Sequence, residues 1–303
     1  MTDVAPMPAP LLAPGDLDVL WFQVGGTLCN LKCEHCFISC SPTNDHLGRM
    51  SLAEMEPYLQ QAARLGVREY YLTGGEPFIV KELEDIIARI LEQGPVSVLT
   101  NGILITEERA QRLAAVRDAA RYSLELRVSL DGCTAEENDP IRGRGTFEKA
   151  LRGVERLVER GFLPIITAAQ MWEPERDQEV LAGFVAELKR RNYDRPRIKI
   201  LPRLKIGAEA ERNEGYSDAE RITQDMLDHY DPALLQCHSS RMISDRGVHI
   251  CPILVDDPRS EMGDDLEASL RPFPLEPNAC YTCWLYGNIC SNTSSAVGFG
   301  EAT

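Results

Sequence analysis

Val19-Leu-Trp-Phe-Gln-Val24 is an apolar stretch, and it leads within a few residues into Cys29-Asn-Leu-Lys-Cys33-Glu-His-Cys36. The reading of these two segments together decides the fold. The first predicts a buried strand. The second places three thiols within eight positions. Such a run can close on three corners of a cube-shaped iron–sulfur cluster, whereas a cluster held by protein alone takes four cysteines. One iron is then open to a substrate or cofactor, as one position of a catalytic zinc is. A zinc site and a disulfide framework are the rival readings. Structural zinc pairs two CxxC-like knuckles, so the local spacing disfavours it.

Outward from this run, the chain alternates two periodicities. Ser51-Leu-Ala-Glu54 reads as a capping box, and Leu52, Met55, Leu59 and Ala62 make an apolar stripe that ends before Gly66. Strands are predicted over 68–73, 96–100, 123–130, 163–170 and 197–202. Helices are predicted over 83–91, 106–118, 146–160 and 177–191, with a last one near 218–229. Six βα units imply an α/β fold with a parallel sheet and right-handed crossovers. They suit an open, partial (β/α)6 barrel. Ligands bind where strands give way to loops in such folds, and the cysteine run lies at the end of the first strand.

Four further motifs follow: Thr73-Gly-Gly-Glu-Pro77, Leu99-Thr-Asn-Gly102, Val128-Ser-Leu-Asp-Gly132 and Arg142-Gly-Arg-Gly-Thr-Phe147. In this order, after CxxxCxxC, they resemble the pattern of the radical S-adenosylmethionine (radical SAM) enzymes over roughly the first 200 residues. The resemblance implies that Cys29, Cys33 and Cys36 hold a site-differentiated [4Fe–4S] cluster that chelates S-adenosylmethionine. One electron then breaks the S–C5′ bond, and the 5′-deoxyadenosyl radical abstracts hydrogen from a substrate. It implies cofactor-binding roles for Gly74, Gly75, Glu76 and Pro77, where glycines let backbone approach a ligand and proline fixes the turn. Asn101, Ser129 and Asp131 fall in the strand-end motifs, Ser129 where the methionyl or ribosyl part is contacted. Arg142 is the candidate for the cofactor's carboxylate, with a solvated loop arginine as its alternative. His35 is read as a ring packed over the cluster or adenine. Cys40 and Cys133 lie outside every ligand pattern; Cys133, directly after the fourth strand, is a candidate hydrogen-atom donor. Glu137-Asn-Asp139 stands where related enzymes often have a His-Asp pair and is assigned no role.

Beyond residue 203 the chain carries Cys237, Cys251, Cys280, Cys283 and Cys290, with an Asp245-Arg-Gly247 turn that predicts a β-hairpin between the first two. This segment resembles the SPASM or shorter Twitch extension of the same superfamily. It implies one auxiliary [4Fe–4S] cluster on Cys237, Cys251, Cys280 and Cys283, with Cys290 as an alternate ligand and a zinc knuckle as the rival. The expected organisation is a flexible leader over 1–16, a main domain over 17–231 and a small auxiliary-cluster domain over 232–303, built of the hairpin and cysteine-rich loops.

The chain has 303 residues, 44% hydrophobic, enough to bury a sizeable core. Its formal net charge of −15 argues against a nucleic-acid or anionic-membrane surface. No signal peptide or membrane-length apolar run is visible, so a cytoplasmic enzyme is expected. Ten cysteines at metal-ligand spacings suit a reducing compartment better than a disulfide scaffold. Expected partners are a flavodoxin- or ferredoxin-type electron donor and an organic substrate. A small molecule or natural-product intermediate, oxidised or rearranged, is preferred over a ribosomally made peptide, because no peptide-recognition domain precedes residue 17. A non-catalytic electron carrier or sensor is the third reading.

Overall fold

The computed structural model describes residues 9–290. The first eight residues of the expected leader and the last thirteen of the C-terminal segment lie outside the described residues. Residues 9–16 are docked instead of free. Leu11–Leu12 (β1) buries Leu12 and pairs with a two-residue strand near the C-terminus, while Gly15 N–H donates to His238 O at 2.8 Å.

Six parallel strands follow in chain order: β2 (Val19–Phe22), β3 (Glu69–Leu72), β4 (Val96–Thr100), β5 (Leu124–Ser129), β6 (Ile165–Ala169) and β7 (Arg197–Leu201). The intervening helices are α1 (Leu52–Leu65), α2 (Leu83–Ile90), α3 (Glu107–Ala119), α4 (Ala135–Arg142), α5 (Thr146–Glu159) and α6 (Asp177–Arg190). Ser51 and Glu54 form the anticipated capping box on α1, and Gly66 ends the helix in the left-handed region at φ 78°. Helix α2 buries Leu83, Ile86, Ile87 and Ile90 against the sheet, each such side chain contributing about 1.5–3 kcal/mol.

Two elements depart from the sequence-based expectation. Helix α4 was not anticipated, since Asn138, Asp139 and Pro140 are poor helix formers. It forms because Thr134 caps it and because buried Asn138 accepts from Asp131 N–H at 3.0 Å and donates to Thr146 at 3.0 Å. The helix expected near 218–229 shrinks to α8 (Gln224–Asp228), preceded by α7 (Ala208–Arg212). Around 217–220 the carbonyls of Ser217 and Glu220 accept from the Asn278 side chain, and the Glu220 carboxylate caps Ser217 N–H. These contacts hold a turn where a helix was expected.

After the short α9 (Gln236–Ser239), the predicted hairpin is present as β8 (Ser240–Ser244) and β9 (Gly247–His249), with Gly247 at φ 99°. It is not a separate layer. Strand β8 pairs in parallel with β2, and β10 (Glu261–Gly263) extends the hairpin, giving one sheet in the order β10-β9-β8-β2-β3-β4-β5-β6-β7. The hairpin thereby satisfies the edge of β2. The sheet stays open at both ends. The remaining pieces are β11 (Phe273–Pro274), partner of β1, and α10 (Ala279–Tyr286), which carries Cys280 and Cys283.

Candidate functional site

The cysteine run lies in the loop after β2 and is clamped from several sides. Gly75 N–H donates to Gly26 O at 2.8 Å and Glu76 N–H to Leu28 O at 3.1 Å, so the glycine-rich turn after β3 pairs with the start of the loop. Asn101, after β4, donates to Asn30 at 2.7 Å. Glu34 N–H reaches Ile141 O on α4, and Ala208 N–H reaches Cys36 O. Gly74 holds φ 150° against Gly25, and a Cβ on Gly75 would run into the Leu28 carbonyl. Both glycines are therefore required by close approach of two backbones.

Cys29, Cys33 and Cys36 all line one cavity of about 250 Å³. Its size falls near the lower end of small-molecule sites. Burial pushes Cys29 up to about 12 and Cys33 up to about 11, so these thiols are protonated unless a metal takes the proton's place. Hydrogen bonding to Cys40, whose N–H donates to Cys36 Sγ at 3.3 Å, holds Cys36 below the usual thiol range. Leu31 N–H donates likewise to Cys29 Sγ at 3.4 Å.

The expected cofactor residues divide into those that line the cavity and those that hold them. Gly74, Gly75, Asn101, Ser129, Arg142 and His35 line it. Glu76 does not. Its carboxylate is fully buried and accepts from Phe78 N–H at 3.1 Å, Thr100 Oγ1 at 2.7 Å and Asn101 N–H at 2.8 Å, bonds that tie the turns after β3 and β4 together. Pro77, also buried, opens the 3-10 turn that follows. Asp131 is likewise a buried holder. Its Oδ1 accepts from Ala169 N–H at 2.8 Å, while Oδ2 stands 2.6 Å from His35 Nε2 and 2.5 Å from Arg142 Nε. Burial alone would raise this carboxyl, but the Arg142 guanidinium and His35 hold it well below the usual carboxylate range. Arg142 is thus no solvated loop arginine; its side chain is 11% exposed and locked by Asp131.

Sequence reasoning missed the inner wall. Trp21, Gln23, Arg127 and Thr167 line the cavity from β2, the loop after it, β5 and β6. The signal available was polar residues at alternate positions of otherwise apolar strands, such as Arg127 and Ser129. Among the described residues, Trp21 Nε1, Gln23 Oε1, His35 Nδ1 and Thr167 Oγ1 are buried with no hydrogen-bond partner. Each such group costs about 1–3 kcal/mol unpaired, so the cavity is built to receive a polar ligand. The donor set and these orphaned atoms fit a thiolate-held cluster with a polar cofactor beside it.

A second set of thiols converges from three parts of the C-terminal segment. Cys237 on α9, Cys251 after β9, and Cys280 and Cys283 on α10 surround one small void of about 20 Å³, otherwise lined mainly by Leu235, Ile253, Leu254 and Leu275. The four cysteines share this void. All four are buried, and burial pushes each upward, Cys237 to about 12 and Cys251 to about 11. Gln236 N–H donates to Cys283 Sγ at 3.3 Å. A dry quartet of thiols fits a thiophilic centre. Among the described residues no three Cys, His, Asp or Glu side chains stand close enough to hold a single metal ion.

Two cysteines are placed differently from expectation. Cys290, the alternate ligand, lines the large cavity instead of the small void. Cys133 lines neither. Its Sγ lies 3.2 Å from Glu137 Oε2 and packs where a side chain on Gly183 of α6 would stand. Its thiol is thus turned towards Glu137 and α6 and not into the cavity that holds the cysteine run.

A family model described as the radical SAM superfamily matches residues 24–181, just over half of the chain. The chain belongs to the radical SAM superfamily. A probable GTP 3′,8-cyclase of Methanosarcina mazei is 35% identical over 146 residues, 45% of this chain and 41% of that protein. Mycofactocin maturase MftC of Mycobacterium tuberculosis is 37% identical over 136 residues, 44% of this chain and 33% of that protein. The radical SAM chain thus spans less than half the length of these curated relatives. Solved structures share the fold at low identity. Streptococcus suis SuiB bound to S-adenosylmethionine matches with a TM-score of 0.63 and 16% identity, over 86% of this chain and 67% of SuiB. Native anSMEcpe with bound AdoMet and Cp18Cys peptide gives 0.60 at 16% identity, over 87% and 81%. Among the described residues, no helix is long and apolar enough to cross a membrane.

Proposed function

We propose that this radical SAM chain is an oxidoreductase-type enzyme that cleaves S-adenosylmethionine and abstracts hydrogen from a small organic molecule, assisted by one auxiliary [4Fe–4S] cluster of the SPASM/Twitch kind. The observation that carries the reading is the gathering of Cys29, Cys33 and Cys36 on one cavity whose other walls hold unpartnered polar atoms. When bound there, the site-differentiated cluster and S-adenosylmethionine supply a carbon-centred radical strong enough for unactivated C–H bonds. The three thiols hold the cluster; the Gly74-Gly75 backbone and Asn101 border the cofactor; Arg142, oriented by Asp131, takes its carboxylate; Ser129 and Thr167 meet its sugar or the substrate. Cys237, Cys251, Cys280 and Cys283 hold the auxiliary cluster, and a flavodoxin- or ferredoxin-type protein in the cytoplasm supplies electrons.

A peptide is the second reading, favoured by the fold shared with SuiB bound to precursor peptide SuiA and with anSMEcpe bound to peptides. The test is anaerobic turnover with deuterated candidates of both kinds, read as deuterium in 5′-deoxyadenosine. Failure of the reduced, iron-loaded protein to cleave S-adenosylmethionine at all would refute the enzymatic reading.

A further inference from the structure

Arg241 is fully buried on β8, just past the end of α9, which carries Cys237. Its guanidinium donates only to carbonyls: Nη1 to Cys237 O at 2.7 Å and Ser240 O at 2.6 Å, Nε and Nη2 to Ser269 O at 3.4 and 3.2 Å. The other buried arginines near the sheet meet a carboxylate, Arg142 at Asp131 and Arg127 at Glu125. Around Arg241 the ionisable groups that act on it are Cys237 and Cys251. A buried cation compensated only by dipoles costs several kcal/mol, a cost that an apolar side chain there would avoid. The second cation acting on the quartet, Arg259, is half exposed and already paired with Asp257 at 2.7 Å.

We infer that Arg241 is the built-in counter-cation of the auxiliary centre: it balances the net negative charge of a four-thiolate iron–sulfur cluster on Cys237, Cys251, Cys280 and Cys283 and raises that cluster's potential. The inference rests on the auxiliary-cluster reading above. Four thiolates outweigh the charge of a [4Fe–4S] core, and net charge and hydrogen bonding are the main protein levers on its potential. Carbonyl bonds to Cys237 and Ser240 fix the guanidinium beside the ligand-bearing backbone, so the charge is held in place before iron arrives. Reduction adds one more negative charge, which a nearby cation favours.

The experiment uses the full-length chain with Cys29, Cys33 and Cys36 changed to Ala, so that only the C-terminal site is read. Iron content and a dye-mediated potentiometric titration followed by electron paramagnetic resonance are compared for that background and for R241Q and R241K in it. R241Q should lower the midpoint potential by about 59 mV, a tenfold change in the one-electron ratio, and R241K should restore most of it. R241M replaces R241Q if the latter does not fold. The gain in melting temperature on iron loading should also shrink in R241Q and return in R241K. Equal potentials in all three, or equal shifts in R241Q and R241K, overturn the counter-cation role while leaving the cluster. An absence of iron from the background protein overturns the auxiliary-cluster reading, and the role of Arg241 falls with it.

Discussion

The two sets of thiols in this chain lie in opposite kinds of surroundings. The N-terminal three come from a single loop, border a cavity of about 250 Å³ and share it with arginine, histidine, amide and hydroxyl groups. The C-terminal four come from α9, the loop after β9 and α10, and close on a void of about 20 Å³ among leucines and an isoleucine. A loop contributing three thiols leaves one corner open, and polar walls beside it suit exchange of a cofactor. A quartet drawn from separated segments in an apolar shell suits a permanently held centre. The arginines differ in the same sense: Arg142 is pinned by Asp131 at a cavity wall, whereas Arg241 is buried with carbonyl partners only. On the proposed reading, the number of thiols, wall polarity and charge balance together would separate a site that works on a ligand from one that supports it.

The widest break between the sites comes from removing one and keeping the other. Cys280→Ala with Cys283→Ala should reduce iron from about eight to about four per chain, measured by iron assay and Mössbauer spectroscopy after anaerobic loading. Unchanged iron in this variant, or zinc in the parent's second site, would contradict the assignment. Next in size is Asp131→Asn, which leaves the Arg142 charge buried without its partner. It should cost about 3–5 kcal/mol of stability and weaken S-adenosylmethionine binding, read by denaturant melts and calorimetry. An Asn variant as stable as the parent would show that the pair is not compensating.

A smaller effect is expected at the glycine-rich turn. Gly75→Val forces the turn after β3 away from the Leu28 carbonyl, an overpacking strain of about 1–3 kcal/mol. Cofactor affinity should fall roughly tenfold while iron at the first site is retained; equal affinity would make the turn purely structural. The smallest effect belongs to Cys133→Ala. Because Cys133 faces Glu137 and Gly183 and not the cavity, 5′-deoxyadenosine formation should stay within about twofold of the parent. A large loss, or deuterium from solvent no longer reaching product, would return this thiol to the chemistry.

What the sequence disclosed was mostly local. CxxxCxxC, the capping box at Ser51 and the glycine turn at 74–75 are short spacings with direct physical meaning: the capping box forms as anticipated, the three cysteines line one cavity, and the two glycines are packed against the backbone of Gly25 and Leu28. The alternation of periodicities likewise yielded six parallel strands in order. What stayed hidden was set by distant partners. Asp131 and Glu76 sit in motifs that suggest cofactor contact, yet their oxygens are consumed by Arg142, His35 and backbone amides from other strands. The direction of Cys133 depends on Gly183, fifty positions away. The hairpin's place beside β2 depends on an unfilled strand edge, which no local pattern announces. Helix α4 reads as a loop until Asn138 is seen bridging Asp131 and Thr146.

The division of labour between the two sites is tested most directly by 5′-deoxyadenosine formation in anaerobic, reduced, iron-loaded protein, comparing the parent, the Cys29/Cys33/Cys36 triple Ala variant and the Cys280/Cys283 double Ala variant. The parent and the double variant should both form 5′-deoxyadenosine from S-adenosylmethionine, and the triple variant should form none. Cleavage by the triple variant, or its loss in a folded double variant that keeps iron at the first site, would contradict the account.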